Sequence, residues 1–251
     1  PVNVPLQWCS RMVVQPKSNG EPRRVVDYQQ LNDQAPRQTH HTQTPWALVS
    51  SVPAKQVKSV LDCWHGYHSV PIAEEDRPLT TFLTPWGTYR YKTCPQGFLS
   101  AGDTYTHRMD NIIGHTPRLK KCVDDSLLYD ADIATNFQRV CEFLTTCSEH
   151  GCIFNADKFQ FAEQSVNFLG FTITSETIKP TSNNILSFPT PRNITDVRSW
   201  YRCIAQISYT FATAPEMAPF RHLLSTKAPF QWSPDLDKAF EESKSEIIRQ
   251  C

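Results

Sequence analysis

Two adjacent carboxylates are the feature of this sequence that could most directly do chemistry. Asp124 and Asp125 follow Val123 and precede the apolar run 127–129, which predicts that they lie at the tip of a hairpin. Neighbouring carboxylates repel each other, and a bound cation removes that cost. Because aspartate is also common in ordinary turns, the pair alone leaves both a metal site and a simple turn open.

A third carboxylate, Asp62, strengthens the metal interpretation. It ends the alternating segment 57–62, which predicts a separate strand with an acid at its C-terminal end. One acid from a strand and two from a hairpin suit a pair of divalent ions a few ångströms apart. Such ions activate a 3′-hydroxyl and neutralise a triphosphate, and hard oxygen ligands with a phosphate substrate point to magnesium.

The segments that must position these carboxylates predict short strands and helices in mixed order. A first hairpin joins strands 11–15 and 23–28 through a turn with Asn19 and Gly20 at its tip. The other predicted strands are 57–62, 79–83, 88–93, 118–123, 126–129 and a pair within 165–174, and the predicted helices are 46–52, 100–113 and 134–150. After residue 180 the pattern changes to helices separated by prolines. This order predicts an α+β fold with an antiparallel sheet.

The composition excludes several classes of protein. Of 251 residues, 39% are hydrophobic and 11% aromatic, which is too much for a disordered tail. The formal net charge of +0 argues against a generally basic nucleic-acid coat, although it allows a locally basic groove. No apolar run reaches ~18 residues, so no membrane span and no membrane partner are expected. Because the first residue is Pro rather than Met, we expect a piece of a longer product.

The cysteines predict reduced thiols rather than a metal centre. There are nine, an odd number, and none stands in a C-x-x-C pair. A zinc site would need four converging ligands, and the nearest group is Cys141, Cys147, His150 and Cys152. Since Cys141 and Cys147 fall on different faces of the predicted helix, we favour scattered thiols in a reducing compartment.

Six blocks in the same order along the chain resemble the reverse transcriptases of long-terminal-repeat retroelements, most closely those of gypsy-like retrotransposons. The motifs that carry this resemblance are Arg24–Asn32, Leu61-Asp62 with Gly66-Tyr67-His68, the 81–91 hairpin, Pro95-Gln96-Gly97-Phe98, Val123-Asp124-Asp125 and Val166–Gly170. The resemblance implies a right-hand polymerase with an antiparallel palm sheet. Its fingers would be 1–36 and 72–95, its palm 37–71 and 96–181, and its thumb 182–251, with the start of a linker towards a ribonuclease H domain.

The resemblance implies an RNA-directed DNA polymerase that adds deoxynucleotides to a primer 3′-end on an RNA or DNA template. Asp62 and Asp124 would bind two Mg²⁺ ions, or Mn²⁺ in their place, with help from the backbone carbonyl of Cys63 and more weakly from Asp125. The parent polyprotein would also contain ribonuclease H, protease and integrase domains. Such an enzyme would work in the cytoplasm, inside virus-like particles, or in the nucleus.

The residues that the resemblance assigns to nucleotide binding surround the carboxylates along the sequence. Lys17 and Arg23 would clamp the triphosphate, unless they are solvated loop charges, and strand alternation is expected to turn Arg24 away. Tyr67 would exclude a ribose 2′-hydroxyl, unless it is a core tyrosine. The full set is Lys17, Arg23, His65, Gly66, Tyr67, Gln96 and Lys158.

Two further roles follow from the same resemblance. Lys158 would protonate the leaving pyrophosphate, unless it is simply a surface lysine. Phe168, Leu169 and Gly170 would hold the primer terminus by apolar contact and close backbone approach, and plain sheet core is the alternative.

The chain departs from the family pattern without losing a carboxylate. Cys122 stands where the family usually has an aromatic residue, Gln96 is the retroviral choice, and Ser100-Ala101-Gly102 replaces the usual pattern that follows. Two rival functions stay open at this point. A retroelement remnant that grips nucleic acid without catalysis conflicts with the three intact carboxylates, and a viral RNA-dependent RNA polymerase conflicts with Tyr67.

Overall fold

The computed structural model describes residues 8–16, 20–181, 185–207, 217–224 and 230–250. The strands are β1 Ser10–Pro16, β2 Pro22–Asp27, β3 Val57–Asp62, β4 Phe82–Thr84, β5 Gly87–Tyr89, β6 Leu119–Cys122, β7 Asp125–Asp130, β8 Gln160–Glu163, β9 Val166–Phe168, β10 Phe171–Ile173 and β11 Ile178–Pro180. The helices are α1 Gln29–Gln34, α2 Pro45–Ser50, α3 Ala101–Ile113, α4 Ile133–Glu149, α5 Ile194–Ile207 and α6 Pro234–Gln250. Among these residues, none of the helices is long and apolar enough to span a bilayer.

The first sheet is built on the expected hairpin and has the strand order β2-β1-β4-β5. β1 and β2 pair antiparallel from Arg11 opposite Asp27 to Pro16 opposite Pro22, while β1 and β4 run parallel. The expected strands 79–83 and 88–93 are shorter than predicted. Residues 77–80 form a 3₁₀ turn instead, because the Thr80 hydroxyl bonds both the Arg77 carbonyl and the Tyr91 N–H.

The central sheet is antiparallel throughout and has the order β6-β7-β3-β8. Its alternating strands bury Leu61 and Leu128 against α3 and α4, where Tyr105 and Phe143 are almost fully buried. The N–H of Thr135 donates to the side chain of Asp132 at the start of α4, and Gly151 adopts φ 70° just beyond the helix. These features confirm the predicted strands 57–62 and 126–129 and the helix 134–150.

A buried ion pair fixes α4 to the end of β7 that lies far from the carboxylates. Asp130 has no exposed surface, and the Arg139 guanidinium donates to both of its oxygens at 2.9–3.0 Å. Charge-assisted bidentate contacts of this kind offset the cost of burying the carboxylate. β7, which begins at the carboxylates with Asp125, is therefore anchored at its other end by Asp130.

A small antiparallel sheet, β9-β10-β11, and the helices after residue 185 cover the other face of the central sheet. Val60 and Leu127 of the central sheet belong to the same core as Phe171, Trp200 and Phe240. Apolar side chains on both faces explain why β3 is buried along its length. The predicted α+β fold with an antiparallel sheet is confirmed.

Candidate active site

Strand pairing brings the three sequence-predicted carboxylates to one edge of the central sheet. Asp62 and Asp125 are direct cross-strand partners on β3 and β7. Asp124 lies in the two-residue turn between β6 and β7, where Val123 adopts φ 51°, and its carbonyl accepts the N–H of Cys63 at 2.9 Å. Asp125 is therefore part of a strand, whereas both aspartates were predicted to lie in the turn.

The backbone of Cys63 faces this turn. Its N–H donates to the carbonyl of Asp124, and Cys63 also pairs with Phe154 as an isolated bridge. The Cys63 thiol is buried and donates to the carbonyl of Ile153, away from the carboxylates. The thiol therefore has a structural contact of its own, and the backbone carbonyl of Cys63 stays a predicted metal ligand.

The carboxylates repel one another in the absence of a cation. Burial, followed by the charges of Asp125 and Asp62, raises the pKa of Asp124 to about 6. Burial and the charge of Asp62 also raise the pKa of Asp125. A cation at this edge would relieve both effects.

The donor set fits a hard divalent ion in one further respect. The Oδ1 atom of Asp124 is buried and has no hydrogen-bond partner in the described part of the chain. Leaving such an oxygen uncompensated is costly, and a metal ion would satisfy it. Over the described residues, no three His, Cys, Asp or Glu side chains already enclose a metal position. The fit therefore rests on the shared edge and on the unsatisfied oxygen.

Gly66 is the residue that lets the following segment approach Asp124. A Cβ atom at this position would lie 2.6 Å from Asp124 Oδ1 and 2.6 Å from Cζ of Tyr105. His65 turns the chain with φ 54°, and a short 3₁₀ helix Gly66–Ser69 follows. The ring of Tyr67, the predicted ribose gate, packs edge-on against Tyr105 with centroids 5.7 Å apart.

Tyr105 was missed by the sequence interpretation. It lies on α3, is fully buried, and supports both Gly66 and Tyr67. Burial raises its pKa, so the phenol is neutral. It lies in the middle of the predicted helix 100–113, where a single tyrosine carries no motif that would connect it with the site.

A cavity of about 390 Å³ lies between β2 and the segment after Asp62, and it brings together the predicted residues His65 and Gln96. Arg24 lines it as well, which corrects the expectation that this side chain turns away. Its guanidinium lies over the rings of Phe82 and Tyr91 at 5.4 and 5.5 Å, so stacking sets its direction.

The two residues predicted to clamp the triphosphate, Lys17 and Arg23, lie wholly or partly outside the described part of the chain. Lys17 lies outside the described residues, and the side chain of Arg23 is also outside them. On β2, Arg23 pairs with Gln15 and Arg24 with Val14.

Lys158 forms an ion pair with Asp62, one of the predicted metal ligands. Its Nζ donates to Asp62 Oδ2 at 2.9 Å, and this bond raises the pKa of the lysine. A raised pKa keeps the ammonium charged and makes it a weaker acid than an isolated lysine. The contact therefore supports a place for Lys158 in the site and weakens the expected role as a proton donor.

The predicted primer contact is partly corrected. The side chain of Phe168 is only 2% exposed and belongs to the core with Phe171, so it is not available to touch a primer. Leu169 and Gly170 form the turn between β9 and β10, with φ 52° and 83°. The N–H of Thr181 donates to the Gly170 carbonyl, which holds the turn in place. The close approach of Leu169 and Gly170 to a primer stays a prediction.

Sequence and structure comparisons place this arrangement in a known class. The chain matches the family model "Reverse transcriptase (RNA-dependent DNA polymerase)" over residues 13–173. The same fold occurs in the foamy viral protease-reverse transcriptase with double-stranded DNA, at TM-score 0.85 and 21% identity over 99% of this chain and 45% of that one. Its complex with an RNA/DNA hybrid gives a TM-score of 0.83 at 21% identity, over 95% and 33% of the two chains. The fold is thus that of a right-hand polymerase.

The chain belongs to the reverse transcriptase family. It is 28% identical to the enzymatic polyprotein of Cauliflower mosaic virus (strain D/H), over 86% of this chain and 33% of the polyprotein. It is 24% identical to the Transposon Tf2-3 polyprotein of Schizosaccharomyces pombe, over 97% and 18% of the two. The resemblance to reverse transcriptases of long-terminal-repeat retroelements is confirmed. The chain spans about a third or less of these relatives.

Proposed function

We propose that this chain adds deoxynucleotides to the 3′-end of a primer, directed by an RNA or DNA template. The observation that carries the proposal is the convergence of Asp62, Asp124 and Asp125 at one edge of the sheet, with a buried Asp124 oxygen that has no partner in the described part. The family to which the chain belongs performs this reaction.

We propose two Mg²⁺ ions, which Mn²⁺ could replace, held by Asp62, Asp124, the Cys63 carbonyl and more weakly Asp125. When bound, such ions act as Lewis acids that activate the 3′-hydroxyl and stabilise the pyrophosphate that leaves. The residues of the chain provide the geometry for this step. β3 and β7 hold the carboxylates in register, and Arg139 anchors the far end of β7.

The incoming nucleotide would occupy the cavity that His65 and Gln96 line, beside Gly66. Gln96 offers both a donor and an acceptor to the sugar or the template base. Tyr67, whose ring packs against Tyr105, would select deoxyribose by excluding a 2′-hydroxyl. Lys17 and Arg23 stay proposed contacts of the triphosphate.

The domain boundaries also stay a proposal: fingers 1–36 and 72–95, palm 37–71 and 96–181, and thumb 182–251. The matched relatives are polyproteins, which supports a parent product with protease, ribonuclease H and integrase domains. We propose that this product acts in virus-like particles in the cytoplasm, or in the nucleus.

Primer extension on a homopolymeric RNA template, with Mg²⁺ or Mn²⁺, tests the proposal. Asp124→Asn should abolish extension and leave template–primer binding largely intact, because it removes a metal ligand without a change in shape. Asp157→Asn is the matched control, since Asp157 is exposed and lies close along the chain to Lys158 but outside the carboxylate set. Near-normal extension by the Asp124 variant, or binding without extension by the wild type, would contradict the proposal.

A further inference from the structure

Lys158 contacts the carboxylate edge through a flexible side chain on a fixed backbone. The N–H of Asn155 donates to the Asp62 carbonyl at 2.9 Å, and the Asn155 side chain accepts the N–H of Asp157 at 3.0 Å. These bonds hold the 3₁₀ turn Ala156–Lys158 beside the end of β3. The Lys158 side chain is nevertheless 61% exposed, so its ammonium can leave Asp62 without disturbing the fold.

A second lysine near the carboxylates is held in a different way. Lys121 is only 8% exposed on its side chain, and its Nζ lies 3.0 Å from Asp110 Oδ1. The other oxygen of Asp110 lies 2.6 Å from His40 Nε2, which fixes the acceptor. Lys121 is therefore held in place near the site, whereas the exposed side chain of Lys158 can move.

The Lys158 ammonium occupies a position beside Asp62 that a divalent ion bound to Asp62 would also need. It lies on Asp62 Oδ2, an oxygen of a predicted metal ligand, and Asp62 is the direct partner of Asp125. A cation of either kind lowers the repulsion among the three carboxylates. The lysine and a divalent ion cannot both take the same lone pairs of Oδ2, so their binding must be coupled.

We propose that Lys158 is the resident counter-cation of the metal-free enzyme and that a divalent ion must displace it from Asp62. The identification of Asp62 as a metal ligand rests on the proposed function, but the competition exists without any substrate. Two consequences of opposite sign follow. Removing the ammonium destabilises the metal-free protein, because the carboxylates lose their neutralising partner, and it tightens metal binding, because the competitor is gone.

Mn²⁺ binding, measured by electron paramagnetic resonance without nucleic acid or nucleotide, tests the competition. Lys158→Met should bind Mn²⁺ roughly twofold to fivefold more tightly, as expected for the loss of an exposed ion pair. Lys158→Arg should bind like the wild type because it keeps the charge. Lys179→Met is the control for a general loss of charge, since Lys179 is exposed on β11.

Thermal unfolding in a chelator supplies the second measurement. Lys158→Met should unfold at a lower temperature than the wild type without metal, and saturating Mn²⁺ should stabilise it by a larger increment. Lys158→Gln repeats both measurements with a polar side chain, should the Met variant fold poorly. Equal or weaker Mn²⁺ binding by both variants would overturn the proposal. If the wild type still extends primers in that case, the proposed function survives; if no protein binds Mn²⁺, both fail.

Discussion

Replacing Gly66 with alanine should damage the active site through a single methyl group. The added Cβ would lie 2.6 Å from Asp124 Oδ1, and 2.6 and 2.9 Å from two ring carbons of Tyr105. Ordinary contacts begin at 3.4 Å, so the separation from both neighbours must grow by roughly 0.8 Å. Tyr105 is fully buried and cannot swing away, so the backbone of residue 66 must shift from the ring and the carboxylate of Asp124 must shift with it.

The clash should reduce both the free energy of unfolding and the rate of primer extension. Overpacking of a close-packed interior usually costs about 1–3 kcal/mol, and the free energy of unfolding should fall by that amount. A displacement of ~1 Å in a reacting group can reduce the rate about 10²-fold. We therefore expect primer extension to fall by one to two orders of magnitude, while template–primer binding changes little because the site of the methyl is internal.

Urea unfolding and single-nucleotide extension, measured on the same preparations, check this expectation. Gly102→Ala is the matched control, because its nearest neighbour is the Tyr67 hydroxyl at 3.9 Å and alanine favours the helix that begins there. The control should be as stable as the wild type or slightly more so, and fully active. A Gly66→Ala protein with unchanged stability and turnover would show that Asp124 is not held against this segment.

Three further outcomes are expected. Because the folded protein raises the pKa of Asp124 from 3.8 to about 6, it binds more protons than the unfolded chain between these values. The metal-free protein should then lose on the order of 1–3 kcal/mol as pH rises from about 4 to about 6; urea unfolding in chelator measures this slope, and an equally steep slope in Asp124→Asn would contradict it. Tyr67→Ala should incorporate ribonucleotides, and an unchanged preference in extension assays would show that selection lies elsewhere. Template–primer affinity should fall with salt at a log–log slope of about −0.7 to −0.9 per phosphate neutralised, despite a net charge of +0; a flat curve on several sequences would argue against a basic cleft.

The charge arrangement connects these predictions. Three carboxylates lie at one edge of the sheet, near the exposed Lys158 and the buried Lys121. If the proposals hold, stability, metal affinity and catalysis are all coupled through these groups. Asp124 has the most to gain from a cation, because its pKa is raised by burial and by both neighbouring acids.

Local sequence determined the elements that carry the site. The alternation in 57–62, the break at 123–125 and the amphipathic pattern of 134–150 each encode a strand, a turn or a helix through short-range preferences. Asp62, Asp124 and Asp125 could be identified in advance because their side-chain chemistry is explicit in the residue type. Motif order also indicated the family, since several blocks at consistent spacing rarely coincide by chance.

Tertiary packing decided the rest, because it depends on contacts between residues far apart in the chain. No local pattern indicates that Tyr105 supports Gly66, that Lys158 reaches Asp62 across 96 positions, or that stacking on Phe82 and Tyr91 turns Arg24 into the cavity. No local pattern indicates either that the ring of Phe168 is buried in the core. The sequence specified which groups could do chemistry, and the packing of β3, β7 and α3 decided which of them meet, because only the folded chain sets the distances on which charge and contact depend.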